Sequence, residues 1–266
     1  MTKMVPKTTA RRIPKSLAPV VESLELRQPK LVTKSLLAEI IADHGLEMST
    51  EDVAHRLQKE GWLLSLRKKN VWEFAPASRA GRIDSGDLFI ELRALLDQRP
   101  TFSVSIAYES AAFLHGFAQR LPQKEVLAIP SKNSIPKTLK TFRITRMWGN
   151  LERIWINELP IWSIETLIVL MAARPTSYRA WPNVYEWLED ALKKIKNDLI
   201  FKELEGRPRS TWVRTGYLVE LGKRFDLGRE IYTKSIAWKK GPYYFGPRNK
   251  KGKYNQRWDI VDSLLT

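Results

Sequence analysis

Residues 49–76 constrain the fold of this chain more than any other stretch, because a helix pattern there runs directly into a hairpin pattern. Ser49 and Thr50 are residue types that cap helix N-termini. The apolar face of the predicted helix consists of Val53, Ala54, Leu57 and Gly61, and the polar face of Asp52, His55, Arg56 and Lys59. The spacing predicts a helix that packs on one side, presents cations on the other and stops at Gly61.

The residues after Gly61 alternate in hydrophobicity, which predicts two short strands joined by a tight turn. The first strand runs from Trp62 towards Arg67, the second covers 71–74, and three consecutive cations at 67–69 lie at the tip. A helix followed by a cationic two-stranded wing is how a winged helix-turn-helix addresses DNA. The helix enters the major groove and the wing touches phosphates.

Eight residues of this stretch are candidate DNA contacts: Ser49, Thr50, His55, Arg56, Lys59, Arg67, Lys68 and Lys69. Arg56 can form a bidentate contact with guanine. The two capping residues can hold a phosphate at the helix N-terminus, and the hairpin cations can contact the backbone or the minor groove. The alternatives are capping alone, an ordinary solvated helix face and a cationic hairpin tip without a ligand.

Two more helices are predicted upstream, at 16–26 and 32–44. The second begins near Thr33, a capping residue type, and Gly45 ends it. With the helix at 49 and the wing, they predict a winged helix-turn-helix domain over residues 16–80. Residues 1–15 are basic, polar and proline-containing, which predicts a flexible arm.

Residues 78–86 have the composition of a linker, and the chain after them predicts a mixed α/β C-terminal domain over residues 87–266. The predicted helices are 87–97, 108–117, 163–173 and 181–195, and the predicted strands are 102–106, 126–129, 141–147 and 153–156. We expect the last two strands to pair through a turn at 148–151. Further helices precede a short closing strand or coil. The predicted fold class is therefore α+β.

The charge of the chain favours a polyanionic partner, since the formal net charge is +16 and the pI is about 10. Lys and Arg number 15 against 9 Asp and Glu over residues 1–82, and 14 against 3 over residues 206–257. A second basic surface is predicted from Lys239, Lys240, Arg248, Lys250, Lys251 and Lys253. Aromatic residues interleave with these cations, which suits stacked bases. The alternative is a solvated loop with its aromatics in the core.

Several short motifs, in order, resemble the AbiEi family of antitoxins from bacterial AbiE-type toxin–antitoxin systems, which are of type IV. The motifs are HRLQKEGWLLSLRKKNVWEFAPA at 55–77, FSVSIAYESAAFLHGFAQRLPQKEVLAI at 102–129, IWSIETLIVLMA at 161–172 and Arg257-Trp258 in a basic tail. The resemblance covers about four fifths of the chain. This sequence departs from the family at the wing, where Asn70 replaces the usual Gly, and the charged helix after 163 is only partly kept.

The resemblance implies a DNA-binding antitoxin that represses its own toxin–antitoxin operon, in a system of abortive infection and phage defence. Its winged helix-turn-helix would bind inverted repeats in promoter DNA. Its C-terminal domain would counter a nucleotidyltransferase-like toxin without forming a stable complex with it.

The sequence offers little for catalysis, and we expect neither an enzyme nor a cofactor nor a metal site. The chain has 3 His and no Cys, and it lacks metal-site spacings and phosphate loops. Two other functions stay open: a DNA-processing nuclease and a protein that binds nucleic acid without sequence preference. The nuclease candidates are Asp87, Glu91, Glu109 and Lys124. Without Cys or a bilayer-length apolar run, we expect a cytoplasmic protein and no membrane contact. The resemblance implies that the cytoplasm is bacterial.

Overall fold

The structure, a computed structural model, describes residues 12–79, 85–235 and 241–265. These residues form two compact units. The first unit extends to Phe102 and also contains Lys137–Leu139, and the second contains the rest of the described chain from Ser103 onward. The predicted flexible arm lies mostly outside the described residues, and so does the centre of the predicted linker.

The first unit combines four α-helices with a three-stranded antiparallel sheet in the order β1-β3-β2. After a 3-10 turn at Lys15–Leu17, its elements are α1 (Ala18–Arg27), β1 (Leu31–Thr33), α2 (Lys34–Asp43), α3 (Thr50–Lys59), β2 (Leu63–Ser65), β3 (Val71–Phe74) and α4 (Ile90–Gln98). The helix and strand after residue 49 fall where the sequence predicts them.

Local sequence signals set the ends of these helices. The Thr33 hydroxyl accepts the Leu36 N–H at 3.1 Å and caps α2, and Ser49 caps α3 in the same way. Gln28 ends α1 in the left-handed conformation, with φ of 45°. Gly45 has φ of 59° and turns the chain after α2, a conformation that glycine adopts without strain.

The core of the first unit confirms the predicted apolar face of α3. Val53, Ala54 and Leu57 are buried against side chains of α1, α2 and the sheet. The predicted helix at 32–44 starts too early, because Leu31–Thr33 form β1, which pairs with β3 in the register Leu31↔Glu73. Three residues are too few for a period-two pattern to be distinguished from the first turn of a helix.

The helix predicted at 87–97 lies at Ile90–Gln98 as α4 and groups with the first unit, not with the second. Asp87 sets its start, since the carboxylate accepts the Phe89 N–H at 2.9 Å and pairs with Arg93 at 2.8 Å. The bounds 16–80 and 87–266 stay a prediction, because a compact unit is not the same as an independently folding domain.

The second unit contains two sheets and six α-helices among its described residues. Its elements are β4 (Ser105–Ile106), α5 (Tyr108–Leu114), β5 (Val126–Ala128), β6 (Arg143–Thr145), β7 (Ile154–Ile156), β8 (Leu159–Ile161), α6 (Ile164–Ala173), α7 (Leu188–Lys193), α8 (Asn197–Leu204), α9 (Arg209–Leu221), α10 (Phe225–Ser235), β9 (Tyr243–Phe245), β10 (Lys253–Asn255) and β11 (Ile260–Asp262). With the first unit, they give the chain a mixed α+β architecture.

The five-stranded sheet corrects the predicted pairing of the strands around 148–151. Its order is β6-β5-β4-β8-β7, so β6 and β7 lie at opposite edges. β6 runs parallel to β5, and β7 pairs with β8 through a two-residue turn at Asn157 and Glu158, both with positive φ. The segment at 148–151 is instead held by Glu203, whose buried carboxylate accepts the N–H groups of Asn150 and Leu151 at 2.9 and 3.0 Å.

The end of the chain is more ordered than the predicted strand or coil. β9 and β11 are parallel and β10 pairs antiparallel with β11, which gives a three-stranded sheet. Trp258, between β10 and β11, is buried and packs against Gly216 of α9. A Cβ atom on Gly216 would lie 2.1 Å from the Trp258 ring, so this contact requires glycine.

The helix predicted at 181–195 is interrupted. Trp181–Glu186 form a 3-10 helix, Trp187 leaves the helical conformation with φ of −132°, and α7 begins at Leu188. Trp181 and Trp187 are both buried.

No helix in the described parts of the chain combines the length and the apolar character needed to cross a membrane.

Candidate nucleic-acid interface

The N-terminus of α3 is occupied by its own capping residues. The Ser49 hydroxyl accepts the Asp52 N–H at 3.1 Å and donates to the Asp52 carboxylate at 2.7 Å. Glu51 is ion-paired with Lys34 of α2, and this hydrogen bond lowers the pKa of the Glu51 carboxyl. Two carboxylates therefore stand where a phosphate would bind, which favours capping as the role of Ser49 and Thr50.

The outward face of α3 carries the candidate base-contacting residues. His55, Arg56 and Lys59 are all exposed, as their spacing predicts, because Val53, Ala54 and Leu57 bury the opposite face. Among the described residues, the Arg56 guanidinium has no ion-pair or hydrogen-bond partner. All five of its N–H donors are thus available to an external acceptor.

The loop between β2 and β3 presents the hairpin cations. Arg67 and Lys69 are exposed and Lys68 is half-buried. Asn70 closes the loop with φ of 62°, the conformation expected for it in place of glycine, and its carbonyl accepts the Lys34 N–H at 3.0 Å. The hairpin is therefore tied at its base to the start of α2.

Helix α4 anchors the same loop through backbone groups. The Glu91 carboxylate accepts the Arg67 N–H at 2.8 Å, and the Gln98 side chain donates to the Lys69 carbonyl at 3.0 Å. The sequence analysis missed this role of Glu91 and Gln98, and places the helix in the other domain. Contacts between residues 24 and 29 positions apart leave no local signal in a single sequence.

A direct bond joins α3 to the hairpin. The Gln58 side chain, two residues after Arg56 on the helix, donates to the hydroxyl of Ser65 at the end of β2, at 2.6 Å. Helix and hairpin are thereby held as one surface with exposed guanidinium and ammonium groups. Such a surface can place donors on base edges and cations on phosphates together.

The predicted second basic surface is described only in part. Lys239 and Lys240 lie outside the described residues, whereas Arg248, Lys250, Lys251 and Lys253 are exposed on β10 and the loop before it. Some aromatic residues of this segment lie in the core and others at the surface. Phe245 and Trp258 are buried, whereas Tyr254 is 55% exposed and Tyr244 lies beneath the Arg248 guanidinium at 5.2 Å.

The acids considered for a nuclease are engaged in structural contacts. Asp87 pairs with Arg93, Glu91 accepts from the Arg67 backbone, and Glu109 pairs with Arg143. In the described ranges, no three His, Cys, Asp or Glu side chains gather into a metal-binding group. His115 ends α5, and its Nε2 lies 2.8 Å from the Trp162 carbonyl, which is a structural contact.

Comparison with known proteins gives a family match for part of the chain and a similar fold for nearly all of it. The model of the AbiEi antitoxin C-terminal domain matches residues 104–221. The crystal structure of the RV2827C protein from Mycobacterium tuberculosis superposes with a TM-score of 0.82, over 98% of this chain and 95% of that chain, at 24% sequence identity. At this identity the likeness concerns the fold. No curated protein matches the sequence.

Proposed function

We propose that this chain, whose residues 104–221 match the AbiEi antitoxin C-terminal domain, represses its own toxin–antitoxin operon by binding promoter DNA. In this proposal it is the antitoxin of a toxin–antitoxin pair. The first unit is where we place DNA binding, and the second unit is where we place antitoxicity.

The observation that carries the DNA-binding proposal is the joined surface of α3 and the hairpin. The order α1-β1-α2-α3-β2-β3 with its antiparallel sheet supports the winged helix-turn-helix that we propose for this unit. Arg56 stands partnerless at the middle of the exposed face of α3. In this proposal α3 enters the major groove, Arg56 reads a guanine, and Arg67, Lys68 and Lys69 contact phosphate.

One winged helix-turn-helix reads one half-site, so two copies of the chain bind across an inverted repeat. The cations at 67–69 release counterions from DNA, and affinity falls steeply with salt. The net charge of +16 speeds association with DNA but does not select a sequence.

The antitoxin activity that we propose acts on a nucleotidyltransferase-like toxin, without a stable complex, in a type IV system of phage defence in the bacterial cytoplasm. Co-expression in bacteria tests it: the full chain should restore growth of cells that express the toxin gene of the same operon. Affinity purification of the tagged chain from those cells should recover no stoichiometric toxin.

A gel-shift titration tests autorepression. The full chain is titrated against about 150 base pairs upstream of its own gene and against a shuffled duplex, at physiological salt, where we expect affinities about a thousandfold apart. Equal affinity for both duplexes would overturn the proposal in favour of nonspecific binding. Metal-dependent cleavage of either duplex would favour the nuclease.

A further inference from the structure

A cavity of about 650 Å³ opens within the second unit, and none of the residues assigned to DNA lines it. Its charged and aromatic lining consists of Glu109, Arg120, Lys124, Arg143, Tyr178 and Arg179. Four of these six side chains are cationic and one is a carboxylate. A cavity of this volume lies in the range of small-molecule sites.

The carboxylate organises the cationic wall. Glu109 is buried at the start of α5, pairs with the Arg143 guanidinium and accepts the backbone N–H of Arg179. Arg143 also donates from Nη1 to the Ser177 carbonyl at 3.1 Å. These bonds fix the Arg143 side chain and the backbone at Arg179 on one wall of the cavity.

Glu109 neutralises only one of the four cations. Arg120 and Lys124 are exposed on the loop that follows α5, and among the described residues neither has an ion-pair partner. The Arg179 side chain is near enough to Arg143 to lower the pKa of its guanidinium, together with burial, which is the larger cause. Like charges that converge on a concave surface repel one another until an anion binds between them.

The cavity lining also has an apolar part, which includes Tyr178. Its ring is buried and held by edge-on contacts with Tyr108, Trp181 and Trp187, at centroid distances of 6.5, 5.2 and 6.5 Å. Tyr178 therefore lines the cavity as a fixed ring with little exposed area, and Ala118, Leu121 and Pro122 complete the apolar lining. Apolar groups beside convergent cations suit a ligand with an anionic end and an apolar end.

We infer that this cavity binds a phosphate-bearing small molecule of mononucleotide size, with its phosphate among Arg120, Lys124, Arg143 and Arg179. Arginine guanidinium groups bind phosphate oxygens through paired N–H donors, and lysine adds a point charge. The site is independent of the proposed DNA surface, since the cavity and that surface share no residue.

The test is isothermal titration of the full chain with AMP, with adenosine and with inorganic phosphate at physiological salt. We expect AMP to bind at least about tenfold more tightly than adenosine, because charge-assisted hydrogen bonds to the phosphate supply the affinity. Inorganic phosphate that competes with AMP would add support. Equal binding of AMP and adenosine, or no binding of AMP at millimolar concentration, would overturn the inference.

The double variant Arg120→Gln, Lys124→Gln removes two partnerless exposed cations and should fold normally. We expect it to weaken AMP binding about tenfold. The matched control is the double variant Lys132→Gln, Lys140→Gln, which removes two exposed cations of the second unit that do not line the cavity. It should leave AMP binding unchanged, and an equal loss in this control would show that general charge, not this cavity, binds AMP.

Discussion

The Gln58 amide on α3 donates a 2.6 Å hydrogen bond to the Ser65 hydroxyl on β2. The two elements also share the buried core through Leu57 and Leu63, and this bond adds a link between their polar side chains. Its partners are polar side chains near the surface, so the bond orients the two elements more than it stabilises the core.

Replacing Gln58 with Ala should therefore lower the free energy of unfolding by only about 0.5–1 kcal/mol, while weakening binding to the promoter duplex. Urea unfolding and gel shift measure the two effects. The control is Gln119→Ala, an exposed glutamine in the second unit without a hydrogen-bond partner in the described chain. Unchanged DNA affinity in Gln58→Ala would argue against the joined surface.

Arg56→Ala and Lys68→Ala should weaken DNA binding in different ways. Loss of a bidentate guanine contact costs about 1–3 kcal/mol on the native duplex and little on a shuffled one, so Arg56→Ala reduces specificity. Loss of a phosphate contact weakens binding to both duplexes alike and reduces the salt slope by about 1. Titrations of both duplexes at several salt concentrations separate the two patterns. Equal losses in Arg56→Ala would refute its assignment to a base.

Glu203→Gln should destabilise the second unit by about 3 kcal/mol or more. The carboxylate is fully buried, pairs with Arg207 and accepts the Thr166 hydroxyl at 2.8 Å as well as the loop at 150–151. An amide cannot accept from all these donors and leaves the half-buried Arg207 guanidinium without its ion-pair partner. Calorimetry measures the shift in melting temperature. Glu205→Gln, two residues on and exposed, should melt like the wild type.

The stability of the protein should fall on acidification partly through His115. Burial lowers the pKa of His115 below its ordinary 6.5, although the Trp162 carbonyl raises it in part. As pH falls below 6.5, the unfolded chain takes up the proton first, so stability is full above that pH and declines through the window down to the folded pKa.

Urea midpoints between about pH 5 and pH 8 test this pH dependence. His115→Gln keeps an N–H donor for the Trp162 carbonyl and should flatten the decline below pH 6.5. His55→Gln, on the exposed face of α3, is the matched control and should keep the wild-type slope. A His115→Gln profile parallel to that of the wild type would contradict the prediction.

Gly216→Ala should destabilise the C-terminal sheet, because the added methyl would lie 2.1 Å from the Trp258 ring. Overpacking of this kind typically costs about 1–3 kcal/mol. Near-ultraviolet circular dichroism during thermal unfolding follows the tryptophan environment. The double variant Gly216→Ala, Trp258→Leu should recover part of the loss, since leucine leaves room for the methyl. No recovery would mean that strain arises elsewhere.

The parts of this fold that the sequence predicts are those with short-range causes. The cap at Ser49, the buried stripe of Val53, Ala54 and Leu57, and the left-handed turn at Asn70 each depend on residues within one helical turn or one hairpin. The exposure of the candidate contacts His55 and Arg56 follows from the same stripe, and so could be predicted with it.

The parts that the sequence analysis misses depend on contacts between distant residues. Glu203 holds the turn at 150–151 from more than 50 positions away, and the strands on either side of that turn, β6 and β7, lie on opposite edges of the sheet. In the same way, α4 reaches back to the hairpin loop through Glu91 and Gln98. A single sequence carries periodicity and turn chemistry but not partner choice, so these features require the structure.

The anchoring by α4 fixes the backbone of the hairpin loop but not its side chains. Glu91 and Gln98 hold only backbone atoms, those of Arg67 and Lys69, and leave both side chains uncommitted to the anchor. Substitutions at these positions can therefore exchange the groups offered to a ligand without releasing the loop. Such an arrangement lets binding preference diverge among related chains while the scaffold that presents it stays the same.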